Sequence, residues 1–93
     1  MPESEVMKDF IIKNKLGLHA RAAAVFVKLS SRFACDVKLV KNGYEVDGKS
    51  ILGVLSLAAA KGSDIKVITK GEGAGNAMVE IEELIESGFG EGV

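Results

Sequence analysis

The chain has one cysteine, one histidine and no tryptophan among its 93 residues. Cys35 cannot form an internal disulfide, and its place at the start of a predicted strand is typical of a small buried hydrophobic residue. The sequence also lacks a CxxC pair and a His/Cys cluster with the spacing of zinc ligands. These scarcities argue against a disulfide scaffold and a zinc domain, and we expect neither a metal nor a cofactor.

An excess of charge of either sign is also missing. Twelve basic and thirteen acidic residues give a formal net charge of -1, so the chain has no bulk attraction for nucleic acid or an anionic membrane. The longest apolar stretch, residues 51–60, is interrupted by Gly53 and Ser56 and is too short to span a bilayer. Residues 1–5 lack the basic-then-apolar order of a signal peptide. We therefore expect a cytoplasmic protein with no membrane insertion and no nucleic-acid partner.

The composition and length are those of one small domain. Hydrophobic residues make up 47% of the chain and charged residues 27%, which is the balance of a globular protein. A chain of this length supports one modest core, so residues 1–93 are predicted to form a single domain. Residues 1–5 and 89–93 lie outside the periodic segments, and we expect them to be loosely ordered ends.

Hydrophobic periodicity predicts seven elements in the order βαββαβα. The predicted strands cover residues 7–13, 35–40, 44–47 and 65–69, and the predicted helices cover residues 20–32, 49–57 and 77–85. Asn42-Gly43 favours a type I′ hairpin turn, because both central residues of that turn need positive φ. Gly71, Gly73 and Gly75 indicate a further turn. The pattern predicts an α+β fold, a two-layer open-faced sandwich with three helices on one face of a four-stranded, mainly antiparallel sheet.

The only histidine, His19, lies in Gly17-Leu18-His19-Ala20-Arg21, where a loop meets the first predicted helix. The first turn of a helix presents unpaired N–H groups and a partial positive charge, and both favour a bound phosphate. Arg21 can offer a planar fork of donors to phosphate oxygens. His19 and Arg21 are therefore candidates for phosphate chemistry, although the local physics leaves a capping or surface role for His19 open.

This segment, followed by Ala22-Ala23, resembles the active-site signature of the HPr family, the histidine-containing phosphocarriers of the bacterial phosphoenolpyruvate:sugar phosphotransferase system. The resemblance covers nearly the whole chain, including the Asn-Gly hairpin and residues 49–53. It implies that His19 accepts phosphate from phosphorylated enzyme I through Nδ1, that Arg21 stabilises the phosphate, and that an enzyme IIA-type domain receives it. Such a chain is a covalent intermediate rather than an independent enzyme, and is most simply a monomer.

Ala22 departs from the family signature, which has proline at this position. Proline in the first turn presets φ and removes an N–H that would be unpaired, whereas alanine is a good helix former that keeps this donor. We therefore expect the helix start and phosphoryl transfer to be retained, even if the rate differs.

Ser50 precedes the second predicted helix, where serine is a favoured N-cap. The resemblance implies a second role, because the matching serine is a regulatory phosphorylation site in family members from organisms with an HPr kinase/phosphorylase. Lys49-Ser50-Ile51-Leu52-Gly53 resembles that version of the motif. The two roles are compatible.

The second helix carries more apolar residues than one buried side can hold, so some should form a partner-binding face around His19. The candidates are Leu18, Ala24, Lys49, Ile51, Leu52 and Leu55. For Leu55 a core position is the favoured alternative.

Two other functions stay open. Residues 14–17 and 86–89 resemble the nitrogen-linked regulatory branch of the system, whereas residues 49–51 resemble the sugar-linked, kinase-regulated type. A pure interaction module, in which Ser50 controls binding to a transcription regulator, would need neither His19 nor Arg21.

Overall fold

The computed structural model describes residues 4–92, in which four strands and three helices follow one another in the predicted order βαββαβα. These elements are β1 (Glu5–Ile11), α1 (Ala20–Ser30), β2 (Asp36–Lys41), β3 (Tyr44–Asp47), α2 (Ile51–Ser56), β4 (Asp64–Lys70) and α3 (Ala74–Glu86). The predicted fold class is confirmed. Helix α3 begins earlier than predicted, so Gly75 is helical, while Gly71 and Gly73 form the turn with φ values of 115° and 79°.

The sheet has the strand order β1-β4-β2-β3, and each neighbouring pair is antiparallel. Leu39 in β2 lies opposite Val67 in β4 and Val46 in β3. Because side chains alternate between the two faces of a strand, these three residues point to one side, and all three are buried. Met7 and Ile11, on the other face of β1, are exposed, which leaves that face of the sheet open.

The predicted hairpin turn is confirmed. Asn42 and Gly43 join β2 to β3 with φ values of 51° and 80°, the positive values that a type I′ turn requires at both central positions.

Helices α1 and α3 cover the closed face of the sheet with small and apolar side chains. In α1, Ala22, Ala23 and Phe26 are buried. The hydroxyl of Ser30, at the end of α1, donates a 2.6 Å hydrogen bond to the carbonyl of Gly48, which satisfies a buried polar group. None of the helices in residues 4–92 combines the length and the hydropathy that a bilayer crossing needs.

The segment after α3 differs from the loosely ordered end that we expected at residues 89–93. Gly88 follows the end of the helix with φ in the left-handed region, and Phe89 is only 3% exposed. The Phe89 N–H bonds the Leu84 carbonyl at 2.8 Å, and the Glu91 N–H bonds the Gly88 carbonyl at 2.9 Å. Burial of one aromatic side chain thus holds residues 89–92 against the domain. At the other end, Glu5 pairs with Lys70 in the sheet; residues 1–3 and 93 lie outside the described residues.

The loop before α1 makes a close backbone approach at Gly17, where φ is +66°. The Leu18 N–H bonds the Ala59 carbonyl at 2.8 Å. A Cβ at residue 17 would overlap the oxygen of Ala59 and lie 2.9 Å from Cα of Ala60. Only glycine fits this backbone, which sets the direction in which the chain enters α1.

We expect Gly17→Ala to destabilise the protein more than Gly43→Ala. Both positions have positive φ, at a cost of about 1–2 kcal/mol for a residue with Cβ, but a Cβ at residue 43 meets nothing within 4 Å. Overlap with the backbone at residue 17 should add about 1–3 kcal/mol. Urea unfolding of the two variants measures the difference, and equal losses would show that the close approach does not constrain the loop.

Candidate functional site

His19 is the N-cap residue of α1 but does not use its ring as a cap. Its backbone is extended (φ -78°, ψ 180°) and its side chain makes no cap hydrogen bond. The His19 carbonyl accepts the N–H of Ala23 at 2.8 Å. The backbone therefore starts the helix while the imidazole, whose side chain is 29% exposed, is available for chemistry.

The ring lines an open surface cavity of about 510 Å³ at the N-terminus of α1. Its lining residues are Lys15, Leu16, His19, Arg21, Glu91 and Gly92. Arg21, the second residue of α1, is exposed there, so the structure brings the two predicted site residues to one cavity. The cationic side chains of Lys15 and Arg21 and the positive N-terminal end of α1 favour an anion in this cavity.

Glu91 is a site residue that the sequence did not reveal. Its Oε2 lies 2.6 Å from Nε2 of His19, and its Oε1 accepts a 2.9 Å hydrogen bond from Nδ2 of Asn14. The same Nδ2 donates to the carbonyl of Gly17 at 2.8 Å. His19 and Glu91 are 72 residues apart in sequence; the only local signal was the aromatic Phe89, two residues before Glu91.

The surroundings of Glu91 favour its ionised form. The hydrogen bond from Asn14 is the largest cause that lowers the Glu91 pKa from its ordinary value of 4.5. The hydrogen bond and charge of His19 lower the pKa further, as does the charge of Arg21, against a partial opposing effect of burial. The carboxylate is therefore an acceptor at neutral pH.

One predicted member of the partner-binding face, Leu18, does not lie at the surface. Leu18 is only 4% exposed, because its N–H bonds the Ala59 carbonyl and its side chain enters the core. It cannot present its side chain to a partner. Leu16, which we did not predict, is exposed at the cavity instead.

The other predicted members of this face remain at or near the surface. Leu52 is 80% exposed and Ile51 is 43% exposed, and Ala24 is exposed on α1. Leu55 is half-buried against the core. Lys49 is half-buried, and its Nζ donates a 2.6 Å hydrogen bond to the carbonyl of Phe33.

Ser50 is the N-cap of α2, as its residue type predicted. Its hydroxyl accepts a 3.1 Å hydrogen bond from the N–H of Gly53, and its side chain is half-buried. Such a cap contributes about 1 kcal/mol to stability.

In the part of the chain that the structure describes, no group of three or more His, Cys, Asp or Glu side chains could hold a metal ion. Cys35 is free and buried.

Known proteins resemble this chain in sequence and in fold. The family model described as the PTS HPr component phosphorylation site matches residues 6–87. Phosphocarrier protein HPr of Cupriavidus necator is 46% identical over 87 residues, which are 94% of this chain and 98% of that protein. Phosphocarrier protein HPr of Pseudomonas aeruginosa is 47% identical over 85 residues, 90% of this chain and 94% of that protein. The crystal structure of HPr-C-His from Thermoanaerobacter tengcongensis superposes with a TM-score of 0.88 at 40% identity, covering 97% of this chain and 99% of that one.

The lowered pKa of Glu91 predicts a pH-dependent contribution to stability. The contribution is present above the ordinary value of 4.5 and is lost as the pH falls through the lower pKa of the folded protein. We expect the free energy of unfolding of the native protein to exceed that of Glu91→Gln at neutral pH, and the difference to shrink as the pH falls below 4.5 and through the lowered pKa. Urea unfolding across this range measures it.

The same comparison in an Asn14→Ala background is the control, because it removes the largest cause of the shift. The pH-dependent part of the difference should be smaller there. A difference between native protein and Glu91→Gln that stays constant with pH would contradict the assignment.

Proposed function

Because the chain belongs to the HPr family of phosphocarrier proteins of the phosphotransferase system, we propose that His19 accepts a phosphoryl group from phosphorylated enzyme I and passes it to an enzyme IIA-type domain. Family membership makes the protein a phosphocarrier and not an independent enzyme. The transfer takes place in the cytoplasm, and the carrier acts as a monomer.

The observation that carries this proposal is the state of the His19 ring. Its Nε2 is engaged by Glu91 at 2.6 Å, which leaves Nδ1 as the nitrogen that can attack phosphorus. The ring lies in an open cavity that Arg21 also lines, so a partner can approach it. Arg21 and the N–H groups of the first turn of α1 would stabilise the charge on the phosphoryl oxygens.

Partner binding is proposed for a mainly apolar surface that residues of α1, α2 and the loops before them form. This docking face consists of Leu16, Ala24, Lys49, Ile51, Leu52 and Leu55. Its most exposed large apolar members are Leu16 and Leu52. Leu16 lines the same cavity as His19, and exposed apolar side chains that lie together are typical of a surface that a partner covers.

Ser50 is proposed as a regulatory phosphorylation site for an HPr kinase/phosphorylase. A phosphate at this N-cap would add about two negative charges at neutral pH, which the start of α2 tolerates. The charge would lie next to Ile51 on the docking face. It would raise the free energy needed to remove water from that face when a partner binds. The expected effect is weaker docking with little change in the fold.

The oriented ring bears on the alternative functions. An interaction module controlled by Ser50 alone has no need of a histidine whose nitrogen is held by a carboxylate, so the carrier is favoured. A carrier in the nitrogen-linked branch would use the same site with a different acceptor.

The proposed function predicts one acid-labile phosphate on His19. Incubation with phosphoenolpyruvate and enzyme I should raise the intact mass by one phosphoryl group, and mild acid should remove it, whereas base should not. His19→Ala should show no gain in mass. A gain in this variant, or an acid-stable phosphate on the native protein, would contradict the assignment to His19.

We expect Ser50→Asp to weaken docking by about 1.4 kcal/mol, which corresponds to phosphoryl uptake from enzyme I that is about tenfold slower. The rate of mass gain at limiting enzyme I measures this. Ser56→Asp is the matched control, since Ser56 is exposed at the other end of α2. Equal uptake by native protein and Ser50→Asp, with both folded by circular dichroism, would contradict a role for Ser50 in docking.

A further inference from the structure

We propose that Glu91, held in place by Asn14, is a positioning residue that fixes the proton of the neutral His19 ring on Nε2 and leaves the lone pair of Nδ1 for the phosphoryl group. This inference rests on the proposed function and assigns a role in it to the C-terminal segment.

The amide of Asn14 can point in only one way. Asn14 is 0% exposed, and its Nδ2 donates to both the Gly17 carbonyl and Oε1 of Glu91. Rotating the amide by 180° would place its oxygen against these two oxygens, which are both acceptors. The two hydrogens of one buried amide therefore fix the carboxylate relative to the loop before α1.

The orientation of Glu91 determines the role of Nε2. An ionised carboxylate only accepts hydrogen bonds, and the bonding around Glu91 favours that form. At a separation of 2.6 Å, Nε2 must therefore be the donor. A neutral imidazole carries one N–H, so Nδ1 has the free lone pair.

The fold holds the carboxylate in place before any partner arrives. Phe89 is buried two residues before Glu91, and the Gly92 N–H bonds the Ser87 carbonyl at 3.2 Å. A Cβ at Gly88 would overlap the oxygen of Gly92, so the turn closes tightly only with glycine there. Little ordering of this segment is left to occur during transfer.

The transfer step is balanced with the proton in this position. The lone pair of Nδ1 forms the new N–P bond while the bond between phosphorus and the donor breaks, and its electron pair stays with the donor. The Nε2 proton remains between the ring and Glu91. The carboxylate then compensates the positive charge that develops on the ring as Nδ1 bonds to phosphorus.

Glu91→Gln tests this proposal directly, because it keeps the shape of the side chain. If the new amide oxygen keeps its bond from Asn14, the new NH₂ group faces Nε2 and needs an acceptor there. The neutral ring should then carry its proton on Nδ1. The ¹⁵N chemical shifts of the His19 ring at alkaline pH report which nitrogen is protonated, without any partner protein.

The matched control is Glu86→Gln, which makes the same change of charge on a surface glutamate that pairs with Lys13. We expect Nε2–H in the native protein and in Glu86→Gln, and a shift towards Nδ1–H in Glu91→Gln. Phosphoryl uptake from enzyme I should be about tenfold slower for Glu91→Gln than for Glu86→Gln, the lower end of the loss that metal-binding histidines show when an orienting partner is mutated.

The two readouts separate this proposal from the proposed function. An unchanged Nε2–H ring in Glu91→Gln would overturn the positioning role, whatever the uptake rates are. A shifted tautomer with uptake equal to that of the control would also overturn it. If the tautomer shifts but no variant, nor the native protein, accepts phosphate, the proposed function fails while the contact between Glu91 and Nε2 stands.

Discussion

The site depends on the two hydrogen bonds that the buried amide of Asn14 donates. One holds the carbonyl of Gly17, in the loop that leads into α1, and the other holds the carboxylate of Glu91, in the segment after α3. This side chain therefore links the loop before α1 to the segment after α3. Because a buried N–H left unpaired costs about 1–3 kcal/mol, the two bonds from Nδ2 resist displacement of either segment, although Oδ1 of the same amide is buried without a partner among the described residues. Among the described residues, Asn14 and His19 are the side chains that hydrogen-bond the carboxylate of Glu91.

The rest of the fold positions His19 and the other side of the cavity. The antiparallel sheet and the buried faces of α1 and α3 form one core, and the N-terminus of α1 rises from it with His19 as its N-cap. Gly17 lets the chain pass close to Ala59, which buries Leu18 and leaves the neighbouring ring at the surface. Phe89 anchors the other side of the cavity in the same core. The backbone of His19 is thus fixed by the start of α1, and its ring contacts Glu91, while the proposed docking face stays exposed.

Much of the fold could be predicted from the sequence, because its signals are local. Each of these signals depends on residues that are a few positions apart. They are the alternation of apolar residues in β2 and β4, the apolar side of α1, the Asn42-Gly43 turn and the cap at Ser50. His19 and Arg21 are close in sequence too, and the family resemblance covered them. The position of Glu91 beside His19 and the burial of Leu18 depend on contacts between distant segments. Hydrophobic periodicity does not indicate such contacts. Because a single aromatic residue after a helix-ending glycine shows no repeat, hydrophobic periodicity did not indicate the burial of Phe89.

We propose that His19 accepts the phosphoryl group through Nδ1, because Glu91 occupies Nε2. The most direct test is to locate the phosphate on the ring, by ³¹P and ¹⁵N NMR of the ¹⁵N-labelled protein phosphorylated by enzyme I. The account predicts coupling of phosphorus to Nδ1 and a proton retained on Nε2. A phosphate on Nε2, or on any other residue, would contradict it.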